Sequence, residues 1–208
     1  MTFPDWKGSK KIMVILAHPD DPEFFMGGTI AEWARQGHDV NYLLLTKGQR
    51  GVSPGFPDSA MLVSVRMAEQ QNAAAKLGVR NVSYLDYQDG YLVPGIETRK
   101  NVVREIRRIR PDIIATCDPL LIYQRGRINH LDHRAAGQIV IDAIFPAVGN
   151  PAFFPELIDE GFPQHRVEEL WLSLPVDANF EMEVTRHWQL RLDALLEHVS
   201  QVGEPSAF

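Results

Sequence analysis

The sequence predicts an α/β fold: a Rossmann-like three-layer sandwich, with helices on both faces of a mainly parallel sheet. Three observations carry that expectation. A continuously apolar run near the start suits a strand buried on both faces. The strand–loop–helix–strand rhythm then repeats at the spacing of βαβ units. Polar residues gather just after the predicted strands, where doubly wound sheets bind ligands. The expected strand order is 3-2-1-4-5, which sets the loops after the first and fourth strands side by side.

The first strand covers Ile12 to Ala17 and is broken by His18-Pro19-Asp20-Asp21-Pro22, whose prolines do not continue a strand. Gly27 to Gln36 reads as a helix, with Ile30, Trp33 and Ala34 at helical spacing and Gly37 as its stop. A second strand, Asp39 to Leu45, runs into the turn-rich Thr46-Lys47-Gly48-Gln49-Arg50-Gly51. Ser59 to Leu77 is a long helical pattern ending at Gly78, and Val82 to Leu85 is a third strand.

Thr98 to Ile109 is amphipathic, with Val102, Val103, Ile106 and Ile109 on one stripe and Arg104, Arg107 and Arg108 off it. Asp112 to Thr116 forms the fourth strand, and Leu131 to Phe145 a helix rich in small residues. Pro146, Pro151, Pro155 and Pro163 argue against regular structure between Pro146 and Arg166. Glu168 to Leu174 supplies the fifth strand and Thr185 to Val199 a closing helix. No repeat or linker divides the chain, so residues 1–208 read as one domain with an irregular proline-rich segment at 146–166.

Composition narrows the function. With 45% apolar and 23% charged residues the chain is ordinary globular material. A net charge of −6 disfavours a dedicated partner of nucleic acid or anionic membrane. The single cysteine, Cys117, excludes an intrachain disulfide and suits a reducing cytosol. Met1 to Lys7 lacks the layout of a signal peptide, and no apolar run has the length of a bilayer span. The expectation is a cytoplasmic protein without membrane insertion.

Four loops at strand ends hold the chemistry. They carry His18, Asp20 and Asp21; Thr46, Gln49 and Arg50; Asp86, Asp89 and Tyr91; and Asp118, Arg125, Arg127, His130, Asp132 and His133. A His-Pro-Asp-Asp turn can simply cap a helix, and two histidines three apart can be neighbours on a surface helix. Their coincidence at two strand ends of one sheet favours a site. Imidazole and carboxylate together suit Zn²⁺, and Fe²⁺, Co²⁺ or Mn²⁺ take the same donors. A catalytic zinc needs three protein ligands and an open position, where water is acidified to a pKa of about 7. A free carboxylate can take the proton of that water, and a spare histidine can stabilise an oxyanion. This inventory fits metal-assisted hydrolysis of an amide or ester, without choosing Asp21 over Asp20 or Asp132 as ligand. His-Glu-x-x-His, the dinucleotide fingerprint and the P-loop are all absent.

Ala17-His18-Pro19-Asp20-Asp21, Gly27-Gly28-Thr29, Thr46 to Gly51, Arg66 to Gln70, Leu77-Gly78-Val79, Asp89-Gly90 and His130 to Gly137 occur in that order. In this the chain resembles the LmbE-like, or PIG-L, deacetylase family. The resemblance implies that His18, Asp21 and His133 are zinc ligands, that Asp20 is the general base and that His130 stabilises the oxyanion. It implies that Asp132 orients a histidine from behind and that Arg66 and Asp89 contact substrate. The implied activity is zinc-dependent removal of an N-acetyl group from an amino-sugar derivative of the N-acetylglucosamine type. An amidase on a thiol–sugar conjugate or another acylated amine is the alternative, and a non-catalytic sugar-binding relative is a third reading. A homo-oligomer is also in keeping with the family. Two departures stand out: Leu131 replaces the usual proline of the second motif, and Ile128 stands where some relatives carry a tyrosine. Tyr123 substitutes for that tyrosine only if its loop folds back.

Overall fold

The computed structural model describes residues 6–51, 59–124 and 126–203. In chain order the elements are β1 (Lys11–Leu16), α1 (Asp21–Arg35), β2 (Asp39–Thr46), α2 (Ser59–Lys76), β3 (Asn81–Tyr87), α3 (Ile96–Ile109) and β4 (Ile113–Cys117). They continue with β5 (Tyr123–Gln124), β6 (Arg127–Ile128), α4 (Leu131–Asp142), α5 (Glu156–Asp159), β7 (Glu169–Ser173), α6 (Trp188–Leu195) and α7 (Val199–Val202). The sheet has the order β3-β2-β1-β4-β7, and every neighbouring pair is parallel. The predicted fifth strand is β7. Its number shifts because β5 and β6 form a separate hairpin whose two-residue strands are too short to show alternation.

After Lys11, strand β1 is apolar at every position because both of its faces are buried. Met13, Ile15 and Ala17 pack with Val102, Val103 and Ile106 of α3 and with Ala136, Ile139 and Val140 of α4. Ile12, Val14 and Leu16 pack on the opposite side with Ile30 and Trp33 of α1, Ala73 of α2 and Leu77 just after it. The two-residue pleat thus divides one strand between two cores. Among the described residues, no helix is long and apolar enough to cross a membrane.

Four boundaries differ from the sequence expectation. Helix α1 begins at Asp21 rather than Gly27, with Pro22 in its first turn, where a missing N–H costs nothing; its geometry breaks at Met26 (φ −149°, ψ 21°). The helix expected to reach Phe145 is α-helical only to Asp142 and becomes a π-helical turn over Ala143–Val148. Phe145 is extended there (φ −129°, ψ 126°), because a following proline pushes its predecessor out of the helical region. The proline-rich stretch contains one helical turn, α5. The closing helix is three pieces: a 3₁₀ turn at Thr185–His187, then α6, then α7, interrupted at His198.

Arg107 explains why the proline-rich segment is ordered. Expected off the apolar stripe of α3, it is instead 1% exposed. Its Nη2 donates to the carbonyls of Ala147 (2.9 Å), Asn150 (3.2 Å) and Phe153 (3.1 Å), and its Nε to that of Val148 (3.3 Å). A segment poor in regular hydrogen bonds still has to satisfy its buried carbonyls, and one guanidinium does so here. Arg107→Met keeps most of the bulk and removes those four bonds. We expect the unfolding free energy to drop by about 2–4 kcal/mol, measured by urea denaturation; an unchanged midpoint would contradict this role.

Candidate active site

Where β1 ends, the chain leaves the sheet through Ala17, His18 and Pro19. Asp21 Oδ2 accepts the backbone N–H of Ala17 (3.1 Å) and of His18 (2.8 Å), so one carboxylate oxygen finishes the strand. The turn is possible because Asp20 adopts φ 90°, ψ −30°, a left-handed conformation that costs a non-glycine residue on the order of 1–3 kcal/mol. Asp20 makes no side-chain cap on α1. Its carboxylate is left available for other work.

The hydrogen bonds determine the histidine tautomers. Asn129 Nδ2 donates to Leu121 O (2.8 Å), so Asn129 Oδ1 faces His133 Nδ1 (3.0 Å) and can only accept from it. His133 Nε2 is then a bare lone pair, 3.0 Å from Asp21 Oδ1. His18 Nε2 lies 3.1 Å from Asp132 Oδ2 and 3.1 Å from Asp89 Oδ1, so its proton sits between two carboxylates. That leaves His18 Nδ1 bare as well, 3.4 Å from Asp21 Oδ2. Two imidazole lone pairs directed at a carboxylate are mutually repulsive unless a cation lies among them. This donor set fits a divalent metal, with two nitrogens, one carboxylate and a polar shell behind each imidazole.

His130 has the opposite polarity. The backbone N–H of Asp132 donates to its Nδ1 (3.1 Å), which puts the imidazole proton on Nε2. Its ring stands 4.8 Å from that of His18 and 5.2 Å from that of His133. Nitrogens of these three histidines lie within 4.8 Å of one another, as do the donor atoms of His18, Asp89 and Asp132. Burial and the flanking His18 and His133 lower the pKa of His130, keeping it neutral at neutral pH. It can therefore give a hydrogen bond without carrying a charge.

Asp132 and Asp89 build the wall behind His18. Asp132 is fully buried and accepts the N–H of Gly90 (2.6 Å) and Leu92 (3.1 Å). Asp89 accepts the N–H of Arg50 (2.9 Å). Burial pushes both carboxyls up, but the contact with His18 and these N–H donors hold both below the usual range. Burial likewise disfavours a charged His18, yet Asp21, Asp132 and Asp89 together hold its pKa well above normal.

Asp20 behaves differently from Asp21, its neighbour. Burial and the charge of Asp21 push Asp20 up to about 7, against the pull of Arg66. Asp21 goes far down, because His133 and His18 outweigh its burial. Arg66, 3% exposed, donates from Nη2 to Asp20 Oδ2 (3.1 Å) and Pro19 O (2.6 Å), and from Nη1 to Gly48 O (2.8 Å). A Cβ on Gly48 would stand 2.1 Å from Nη1, and Gly48 has φ +66°, so the Thr46 to Gly51 loop needs glycine to wrap this guanidinium.

His18, Asp20, Asp21, Arg66, Asp89, His130 and His133 line one cavity of about 310 Å³, and Asp132 lies just outside its wall. Phe24, Phe25, Arg50, Gly51 and Gln201 also line it. Arg50 had been placed in its loop without a role; it stacks over Tyr91 at 4.5 Å. Gln201 reaches the cavity from the far end of the chain, where the stretch from Leu195 to Gln201 also resembles the family but carried no role. Other strand-end residues serve the scaffold. Thr46 donates to Ala17 O, Asp86 pairs with Lys47, and Asp118 accepts the N–H of Leu120 and Val176. The loop after β4 does fold back, Tyr123 pairing with Ile128, but Tyr123 is 75% exposed and is not part of the cavity wall. Arg125 lies outside the described residues.

Residues 13–144 match the PIG-L family model, described as GlcNAc-PI de-N-acetylase. The chain belongs to the PIG-L family. It is 34% identical to diacetylchitobiose deacetylase of Thermococcus kodakarensis over 195 residues, 94% of this chain and 71% of that protein. Among solved structures, the PIG-L chain superimposes on N,N'-diacetylchitobiose deacetylase of Pyrococcus horikoshii, complexed with an inhibitor. That match has a TM-score of 0.86 and 30% identity, covering 93% of this chain and 71% of the other. It also superimposes on 4-carboxy-2-hydroxymuconate hydratase of Pseudomonas putida, with a TM-score of 0.75 and 21% identity over 92% of this chain and 80% of that one. At that identity the hydratase shares the fold alone, so the side chains of the cavity must decide the chemistry.

The raised pKa of His18 ties metal affinity to pH. Its folded-state value lies above the ordinary one, so His18 holds a second proton more readily than a free imidazole and, as a metal ligand, would have to give it up. A metal entering there must displace that proton. Affinity should fall by about tenfold for each pH unit below the raised pKa, as read by competition with a chelating dye. Pairs of affinities at pH 6 and pH 8 that agree after correction for the chelator would contradict it.

Proposed function

We propose that the chain is a metal-dependent de-N-acetylase that hydrolyses the acetamide of an N-acetylglucosamine-type amino sugar. One observation supports this above the others: the tautomers leave His18 Nδ1, His133 Nε2 and the Asp21 carboxylate facing a common space, while the N–H of His130 stays available beside them. The activity of the diacetylchitobiose deacetylases that the chain resembles points the same way. Neither an amidase on a thiol–sugar conjugate nor a non-catalytic sugar binder has an observation in its favour.

In this reading His18, Asp21 and His133 hold the metal, with Zn²⁺ first among the divalent ions that accept such donors. When bound, the metal supplies a Lewis acid that polarises the amide carbonyl and eases deprotonation of water. Asp20 takes the proton from the attacking water; a carboxylate raised to about 7 by burial is a stronger base than an ordinary one. The same proton is then in place for the departing amine. His130 donates its Nε2–H to the oxygen on which negative charge develops. Asp132 and Asp89 keep His18 oriented, and Arg66 keeps Asp20 aimed. Arg66 and Asp89 meet the substrate at the cavity wall as well. The single cysteine supports a cytoplasmic setting.

An acetate-release assay over N-acetylated mono- and disaccharides tests the reading, using metal-stripped and zinc-reconstituted protein. Activity should vanish on stripping and return with metal; no release from any amino sugar by the reconstituted protein would refute the function. Asp20→Asn should keep the metal and lower kcat by roughly 10²–10⁴. His130→Ala should lower kcat by ~10²–10³, also with metal retained. Metal loss in Asp20→Asn, or an undiminished rate in His130→Ala, would remove the corresponding role.

A further inference from the structure

Behind Asp20 runs a buried polar chain for which the reaction above has no use. The backbone N–H of Asp20 donates to Gln70 Oε1 at 2.8 Å. Gln70 stands on α2, and its Nε2 donates to both oxygens of Glu23, at 3.1 Å each. A carboxylate only accepts, so the Gln70 amide cannot flip, and its oxygen must face Asp20. Glu23 also receives Tyr42 Oη at 3.3 Å and His198 Nε2 at 3.1 Å. Gln70, Glu23, Tyr42 and His198 are each at most 1% exposed. His198 lies in the break between α6 and α7, beyond the 13–144 span that matches the family model.

An aspartate just before a helix ordinarily turns its carboxylate onto the first free N–H groups of that helix. Asp20 precedes α1 and does not. Its φ of 90° turns the backbone N–H inward to Gln70 and leaves the carboxylate facing the cavity. A residue that merely glued α2 to α1 would have no need to take that N–H. We infer that Gln70 is a positioning residue: by holding the Asp20 backbone in its left-handed conformation, it keeps the carboxylate from relaxing into a helix cap and losing the attacking water. Glu23 and His198 fix Gln70 in turn, so the C-terminal segment acts on the base through three buried side chains.

The inference rests on Asp20 being the base, and a double-mutant cycle separates the two claims. Gln70→Met has nearly the same volume and loses all three hydrogen bonds. In the zinc-reconstituted enzyme it should lower kcat by about 10- to 100-fold, with KM and metal content unchanged. In the Asp20→Asn background the same substitution should alter the residual rate by less than about twofold, because the two residues act as one unit. Equal losses in both backgrounds would overturn the positioning role while leaving the base assignment intact. An Asp20→Asn enzyme as fast as the parent would overturn both. Should Gln70→Met not fold, Gln70→Asn, one methylene shorter, enters the same cycle under the same criterion.

Discussion

Everything at this site depends on the burial of one carboxylate. Asp21 uses one oxygen to finish β1 by accepting two backbone N–H groups, and turns the other to His133. A buried carboxylate is tolerated only when hydrogen-bonded and matched by positive charge. The strand end supplies the hydrogen bonds; two imidazoles with bare nitrogens prepare the place for a cation. Structure and chemistry thus meet in a side chain that is at once the end of a strand, the start of a helix and a candidate ligand.

Four aspartates surround three histidines, and their environments separate them. Asp21 is driven down by His133 and His18, while Asp132 and Asp89 stay charged against His18 and backbone amides. Asp20 alone is pushed up, because burial and the charge of Asp21 exceed what Arg66 returns. Adjacent carboxylates with divergent affinities for protons are what acid–base chemistry at neutral pH requires. The histidines divide by the same logic. Those at 18 and 133 give their proton to a fixed acceptor and expose a lone pair, whereas His130 receives a backbone N–H and exposes its proton.

The parallel sheet was legible because β1 is apolar at every position from Ile12 on, a pattern of burial on both faces. The two motifs were legible for a related reason: each follows a strand at the switch point, and each holds its functional residues within a few positions. Less was visible where a side chain inverted its usual preference. Arg107 reads as lying off the apolar stripe of α3 and is instead the hub of the proline-rich segment, because its guanidinium reaches four carbonyls that the fold gathers there. Arg66 and Asp89 read as substrate contacts and do line the cavity; their structural bonds to Asp20, Pro19, Gly48, His18 and Arg50 were not visible.

The sequence by itself determined the fold class, the strand order in space and the set of histidines and aspartates available for chemistry. Hydrophobic periodicity and short-range motifs are local, and local order is what a sequence displays. Only the tertiary structure decided which nitrogen of each histidine is bare, since that depends on Asp89 and Asp132 reaching His18 from other loops and on how the second loop folds Asn129 onto His133 and the Asp132 amide onto His130. It also decided that residues near the end of the chain take part. His198 reaches Glu23, and Ser200 donates to the carboxylate of Glu69 at 2.8 Å from N and 2.6 Å from Oγ. Those anchors bring Gln201 to the cavity. Contacts of His198 with α1 and of α7 with α2 leave no periodic trace, because their partners become neighbours only when the sheet has closed around them.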